Sequence, residues 1–395
     1  MMNRGQYRTP SPLISRTSTV LFSSIEQLRE TNAAMATGDR WASTYGTHTT
    51  PTTAALEEIL VAGEGGAGVE LSPTGLAAIT TAYVAMLKAG DHFLVTDSAY
   101  GPARRLADTV MAKMGVEVEY YDPLIGAGIA ELIRPNTTAI WLESPGTHTF
   151  EVQDIPAIVA AARAVDHRVV TAIDNTWGSP GYLRPFDLGV DISVVALTKY
   201  WSGHSDVLAG ATFANAELLP KVRDASTTLG MTLGGEDAFL LVRGSRTVDM
   251  RLAACGANGL EVAKRLEAHR RVGRVLHPAL PSDPGYAIFK RDFHGTAGLF
   301  AFELLAPDGV SPSTAEQVDA FTDRLVALGH FGLGYSWGGY ESLVMPARWS
   351  GITRLARPWT GGQLVRLNIG LESPDLVWAD LAAALDADEQ VAAEP

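Results

Sequence analysis

Two short apolar runs, Val169–Ile173 and Ile192–Leu197, constrain this chain most. They are rich in valine and isoleucine, continuous rather than alternating, and too short for helices. Runs of this kind read as parallel strands buried on both faces. Each ends on a charged residue, Asp174 after the first and Lys199 after the second. The same punctuation recurs upstream. Strands are expected at Val69–Leu71, His92–Thr96, Val116–Tyr120 and Thr138–Leu142. Helices are expected at Thr53–Ala62, Gly75–Leu87, Ala103–Met114 and Ile155–Val165. Alternation of this type predicts an α/β fold: a mostly parallel sheet covered on both faces by helices. Ligands of such sheets bind at the carboxyl ends of the strands, so Asp174 and Lys199 are delivered to one functional rim.

An amine and a carboxylate at that rim suit pyridoxal 5'-phosphate. The cofactor needs a lysine for its aldehyde and an acid to keep its pyridine nitrogen protonated. A lysine at an apolar strand end has its ammonium form disfavoured by desolvation, which makes the amine a better nucleophile. Either residue alone reads equally well as something plainer, Asp174 as a turn cap beside Asn175 and Lys199 as a solvated strand end. Their placement at consecutive strand ends is what favours chemistry. Two further features lie on the same rim. The helix opening at Gly75 and Leu76 offers backbone N–H groups to a phosphate, although Ser-Pro-Thr is also an ordinary helix start. Tyr100, in a strand-to-helix loop, could stack on a ring or simply be half-buried.

The rest of the chain frames this unit. Residues 1–52 carry little regular pattern beyond a short helix at Ile25–Met35; they read as an arm expected to lie on something else, such as a neighbouring subunit, with a floppy arm as the plainer alternative. Residues 53–248 hold the main sheet, with Asn215–Thr247 read as a connection. Residues 249–395 open with a long helix at Met250–His269 and form a smaller α/β domain. That domain has strands near Arg274–Leu276, Gly298–Leu304 and Leu364–Ile369, helices near Thr314–Leu328 and Pro374–Ala384, and a frayed end. Arg366 sits inside the last of these strands. A buried guanidinium needs a carboxylate partner, either an internal acid or the carboxylate of an amino-acid substrate.

A net charge of -13 argues against nucleic acid and anionic membrane as partners. No apolar run is long enough to span a bilayer. With one cysteine, Cys255, and no signal-peptide pattern at the start, a cytoplasmic protein is expected. His48, His204 and Asp206 show no spacing that would gather them on a metal, and none is expected.

The phrases D-N-T-W at Asp174–Trp177 and T-K-Y-W-S-G-H-S-D at Thr198–Asp206 resemble the pyridoxal-phosphate enzymes of cysteine and methionine metabolism, the transsulfuration lyases and synthases of fold type I. The likeness runs from about Ser11 to about Ala384. Within the family it is strongest to the β-acting lyases, through Y-D-P-L-I-G-A, L-E-S-P-G, H-P-A-L-P, K-R-D-F and Y-S-W-G-G-Y-E-S-L. γ-Acting relatives usually have leucine at the position of Trp337 and no match for Tyr340.

The resemblance implies a fold-type-I architecture and β-elimination of L-cystathionine to L-homocysteine, pyruvate and ammonia. It makes Lys199 the Schiff-base lysine and Asp174 the partner of the pyridine nitrogen. Tyr100 would stack on the ring and assist proton transfer. Gly75, Leu76 and Thr198 would bind the phosphate, and Tyr45 would reach the phosphate of the adjacent subunit. Arg366 would hold the substrate carboxylate, and Tyr335, Ser336 and Trp337 would line the substrate pocket. A homotetramer of active dimers is implied.

Two positions depart from the pattern. Thr47 stands where many relatives have arginine, and Ala196 where many have serine, so the phosphate is expected to be held less tightly. Trp201 replaces a frequent leucine. The rival readings are a γ-acting relative, a broad cysteine-S-conjugate β-lyase, and a non-catalytic chain that keeps the fold as a binding module.

Overall fold

The computed structural model describes residues 9–347 and 354–392, with side chains described as far as residue 387. A seven-stranded sheet forms first. In chain order its strands are β1 Gly68–Ser72, β2 His92–Thr96, β3 Glu117–Tyr121, β4 Thr137–Glu143, β5 Val170–Asp174, β6 Ile192–Val195 and β7 Gly210–Ala214. Across the sheet they run β1-β7-β6-β5-β4-β2-β3. β7 is antiparallel to both of its neighbours, and the remaining pairs are parallel. Most of these strands are buried along their length, as their mainly apolar content favours. β3 is the exception; it lies at the sheet edge and reads E-V-E-Y-Y, with glutamates that discourage further pairing.

Helices cover both faces. On one, helix Gly75–Met86 buries Ala78, Ile79, Ala82 and Tyr83 in a cluster with Phe93, Trp141, Val194 and Val222. On the other, helix Ile155–Val165 sets Ile155, Ile158, Val159 and Ala162 against Leu142 and Ile173. Its apolar positions at helical spacing make that face unambiguous in the sequence.

A second, smaller sheet follows helix Val248–Glu267. Its strands are β8 Val272–Leu276, β9 Leu299–Leu304, β10 Gly332–Leu333, β11 Leu343–Ala347 and β12 Leu364–Asn368, ordered β10-β11-β12-β9-β8. Helices Ala315–Leu328 and Pro374–Ala392 close it, with Phe321, Leu325 and Leu381 against Phe302 and Leu367. The two sheets share apolar contacts: Trp177, Leu252, Leu299 and Leu364 belong to one buried cluster.

Four expectations change. Lys199 does not end a strand. β6 stops at Val195, and Lys199 lies in the turn beyond it, closed by Ser202 N–H donating to the Leu197 carbonyl at 3.1 Å. The segment Asn215–Thr247 is not a plain connection, since it forms helices Leu219–Thr228 and Gly235–Ser245. β10 and β11 are additional strands, and β11 accommodates Pro346 opposite Val365. The end expected to fray is helical to Ala392, with residues 393–395 outside the described part. Trp201 also gains a physical account. It is buried, donates Nε1–H to Ser179 Oγ at 3.0 Å, and lies where a Cβ on Gly63 would come within 2.7 Å of its ring. It is a core residue locking helix Pro51–Glu64 to the turn that carries Lys199.

Candidate active site

β5 ends on Asp174, and the next residues turn back on it. Thr176 donates its N–H at 3.0 Å and its hydroxyl at 2.5 Å, both to Asp174 Oδ1. Ala196 N–H donates to Thr176 Oγ1 at 2.9 Å, which ties the end of β6 to the same turn. Asn175 is anchored by its own amide on Glu64 Oε1 at 2.6 Å. The acid is therefore rigid, and Oδ2 is left with no hydrogen bond among the described residues. Burial pushes the Asp174 carboxyl up; Thr176 and the charge of Lys199 pull it down.

Asp174 and Lys199 line one cavity of about 320 Å³ at the carboxyl ends of the parallel strands. Lys199 Nζ donates to Ser336 Oγ at 2.5 Å and lies 5.2 Å from the centre of the Trp337 ring. Burial, aided by the nearby Arg366 cation and opposed by Asp174, brings its pKa down to about 8. Roughly a tenth to a fifth of this amine is therefore neutral near physiological pH, far more than for an ordinary lysine, which favours nucleophilic or basic work.

The smaller sheet supplies the opposite wall. Arg366, in the middle of β12, donates Nη2–H to the Ser336 carbonyl at 3.1 Å. It has no carboxylate partner among the described residues, and burial pushes its guanidinium pKa down. A buried cation held by one carbonyl is short of an anion. Ser336 adopts a φ of 78°, in the left-handed region costly to residues with a Cβ. That bend presents the serine hydroxyl to Lys199 and its carbonyl to Arg366. Gly338, at φ 81°, follows it and donates N–H to Asn368 Oδ1 at 3.0 Å. Tyr335 lines the cavity only at its rim and is 85% exposed.

At the far end stands helix Gly75–Met86. Its cap, Thr74, accepts from Ala77 N–H at 3.1 Å and leaves the first N–H groups, those of Gly75 and Leu76, facing outward from the helix start. A Cβ on Gly75 would lie 2.7 Å from Ala196 Cβ, so glycine is what lets the helix abut the end of β6. Thr198 lines the cavity as well, its hydroxyl lodged between the N–H of Ala209 (3.0 Å) and the carbonyl of Ala209 (3.2 Å). Tyr100 caps helix Gly101–Leu106 at the mouth, 43% exposed.

Of the residues singled out from sequence, Gly75, Leu76, Tyr100, Asp174, Thr198, Lys199, Tyr335, Ser336, Trp337 and Arg366 all converge on this cavity. Tyr45 does not; it is half-exposed and bridged to Thr19, and Thr47 lines a separate hollow with His48 and Arg40. Glu143 and His148 also line the cavity and were missed. Glu143 had a readable signal, being a charge at the end of an apolar strand, as Asp174 is. His148 had none. Its φ of 68° is set by the local turn, and burial together with Arg366 holds its imidazole down near pKa 4. Among the described residues no cluster of three His, Cys, Asp or Glu side chains gathers to hold a metal.

The residues fit pyridoxal 5'-phosphate. One carboxylate oxygen is free for a ring N–H, an amine of lowered pKa can meet an aldehyde, and a glycine-opened helix start can receive a phosphate. Comparison with known proteins agrees. The chain is 42% identical over 374 residues to the cystathionine β-lyase of Bordetella avium, covering 94% of this chain and 90% of that one. It is 40% identical over 379 residues to the cystathionine β-lyase of Haemophilus influenzae, covering 95% and 93%. The structure matches a cystathionine γ-synthase from Xanthomonas oryzae pv. oryzae with a TM-score of 0.84 at 31% identity, over 96% of this chain and 94% of that one. The fold is that of the type I pyridoxal-phosphate enzymes expected from the sequence. Residues 2–386 match the family model "Cys/Met metabolism PLP-dependent enzyme", and the chain belongs to that family.

Proposed function

We propose that this chain is a carbon–sulfur lyase that catalyses β-elimination of L-cystathionine to L-homocysteine, pyruvate and ammonia. One observation carries the reading: a lysine whose pKa is brought down to about 8, a carboxyl with a free oxygen and an arginine short of an anion open onto the same cavity. When bound, pyridoxal 5'-phosphate supplies an aldehyde for the substrate amine and a ring that accepts electrons as the α-proton leaves.

The chain's own groups do the rest. Asp174, fixed by Thr176, would hold the ring nitrogen as a protonated donor. Gly75 and Leu76 N–H would grip the phosphate, joined by the Thr198 hydroxyl once it turns from the Ala209 carbonyl. Tyr100, at the cavity mouth, would stack on the ring and assist proton movement. Arg366 takes the substrate carboxylate through paired charge-assisted hydrogen bonds, which fixes the direction of the Cα–H bond. Lys199, in its neutral form, would take up the Cα proton of the bound substrate. Ser336 steers that amine, and Trp337 and Tyr335 bound the thioether side.

The 40–42% identity to proteins named cystathionine β-lyases over most of the chain supports β-elimination above γ-chemistry. Incubation with L-cystathionine decides it. Pyruvate with homocysteine is expected; 2-oxobutyrate with cysteine would overturn the reading in favour of a γ-lyase. We further infer a cytoplasmic homotetramer in which residues 1–52 complete a neighbour's site through Tyr45. Exposed apolar side chains on that arm, Leu13, Leu21, Ile25 and Trp41, support an assembly.

A further inference from the structure

The inference concerns the floor of the cavity and rests on the cofactor site described above. β4 and β5 are parallel neighbours, and Glu143 stands in register with Asp174. Both side chains line the cavity and both residues are buried, at 8% and 9% exposure. Two carboxyls on adjacent strand ends, with no cation bonded to either among the described residues, cannot comfortably both ionise.

Their hydrogen bonds differ. Asp174 gathers two donors on Oδ1, the Thr176 N–H and hydroxyl, and keeps Oδ2 for the cavity. Glu143 spends both oxygens on the protein: Oε2 accepts Tyr100 N–H at 2.6 Å, and Oε1 contacts the Thr147 hydroxyl. The Tyr100 bond falls at the start of helix Gly101–Leu106, where the ring leaves the backbone toward the cavity mouth. Thr147 N–H in turn donates to the Ser98 carbonyl at 2.8 Å, closing a frame around the Tyr100 loop.

We propose that Glu143 is a positioning residue: a neutral carboxyl that fixes Tyr100 at the cavity mouth and leaves the single negative charge of the floor to Asp174. A neutral acid has one acceptor and one donor. The acceptor suits Tyr100 N–H, and the donor suits the Thr147 hydroxyl, which can accept. Burial first and the Asp174 charge second push the Glu143 carboxyl well upward, outweighing the hydrogen bonds from Thr147 and Tyr100 that pull it down. The other titratable groups around it are the buried Tyr83 and the half-exposed Tyr100, each raised chiefly by desolvation and further by the nearby carboxylates, and the Lys199, Arg366 and His148 side chains of the cavity wall.

The test compares E143Q and E143A with wild type and D174N. Pyridoxal-phosphate affinity of the apoprotein is read by tryptophan fluorescence, and the bound cofactor's visible absorption is titrated with pH. Michaelis constants and melting temperatures complete the set. Glutamine reproduces one acceptor and one donor without charge. E143Q is therefore expected to keep the absorption midpoint within about 0.3 pH unit of wild type and the cofactor affinity within about 3-fold. E143A removes the bond to Tyr100 and is expected to raise KM by roughly 10-fold or more with a smaller change in cofactor affinity. A shift of about one pH unit or more in E143Q would mean that wild-type Glu143 is ionised, and would overturn the proposal. So would an E143A enzyme whose KM matches wild type. If E143A fails to fold, the E143Q titration still decides. If wild type itself binds no cofactor, or if D174N titrates like wild type, the cofactor-site reading fails instead, which is a separate result.

Discussion

Lys199 sits where burial and the Arg366 cation act in the same direction, against its ammonium form, and Asp174 acts against them. With the pKa near 8, uptake of pyridoxal phosphate by the apoprotein should depend on pH with a defined sign. Only the neutral amine attacks an aldehyde. The rate should therefore climb as pH rises toward 8 and level off above it, as stopped-flow absorption would record. R366A removes one cause of the depression. The amine should then bind its proton more tightly, and the midpoint should move to higher pH. A midpoint that moved down would show that Arg366 acts on Lys199 in some other way. On the role proposed for Arg366, the same variant should lower kcat/KM for cystathionine by about 100-fold or more, mostly through KM, because it would remove a charge-assisted contact to the substrate carboxylate made in the ground state too. These two effects on one residue are separable, since the first needs no substrate.

Elements decide where those side chains stand, and here the sequence was unevenly legible. β2 and helix Ile155–Val165 fall on the residues their apolar pattern marks. Lys199 was misplaced because the apolar run continues through Leu197 after the ladder stops at Val195; Leu197 is buried, but in the turn. Helix Leu219–Thr228 was hidden by Ser, Thr and Asp among its apolar contacts Leu219, Val222 and Ala225. β11 was hidden by Pro346, a residue that argues against a strand flanked on both sides. The convergence of Arg366 with Lys199 was not readable from either residue. It depends on the strained turn at Ser336, whose φ of 78° no local pattern announces. Close approach of elements can be tested at Gly75. In G75A the new methyl would meet Ala196 Cβ at 2.7 Å, forcing the helix start away from the end of β6. Overpacking of this kind costs about 1–3 kcal/mol. If that strain falls on the phosphate site, cofactor affinity should weaken by about 10- to 100-fold while the melting temperature of the apoprotein changes little. An affinity equal to wild type would mean that the helix start does not hold the phosphate.

At the scale of the whole molecule, the cavity is walled by both sheets, so their relative placement matters as much as any single residue. Thr47, away from this chain's own cavity, bears on this through the assembly. If the Tyr45 loop completes a neighbour's site, T47R should tighten cofactor binding by about 10-fold through a new charge-assisted contact, and only at concentrations where the oligomer is intact. A dilution series of cofactor affinity would show it. Within one chain, the joint between the sheets is Asp97, just past β2. Its side chain is fully buried and accepts from Arg104 Nη1 at 2.7 Å, from Ala356 and Arg357 N–H at 2.9 Å each, and from Leu355 N–H at 3.2 Å. Arg354 lies 3.4 Å away and reaches on to Thr149 Oγ1 at 2.9 Å and Glu151 Oε1 at 3.0 Å. The segment leading into β12, and so to Arg366, is thereby fastened to the loop beside His148. Burial pulls the Asp97 carboxyl up, but Arg104 and the backbone N–H groups outweigh it, and its pKa lies below the ordinary carboxylate value. A depressed folded-state pKa means that this stabilisation is complete above about pH 4 and is lost as pH falls through the folded value. D97N should therefore cost about 3–5 kcal/mol at neutral pH, because the buried Arg104 guanidinium loses its carboxylate and Arg354 is left with Glu151 alone. It should also flatten the acid limb of the stability curve, which urea denaturation from neutral pH down to about pH 3 would measure. A D97N protein that lost stability on acidification as steeply as wild type would place the acid-sensitive joint elsewhere.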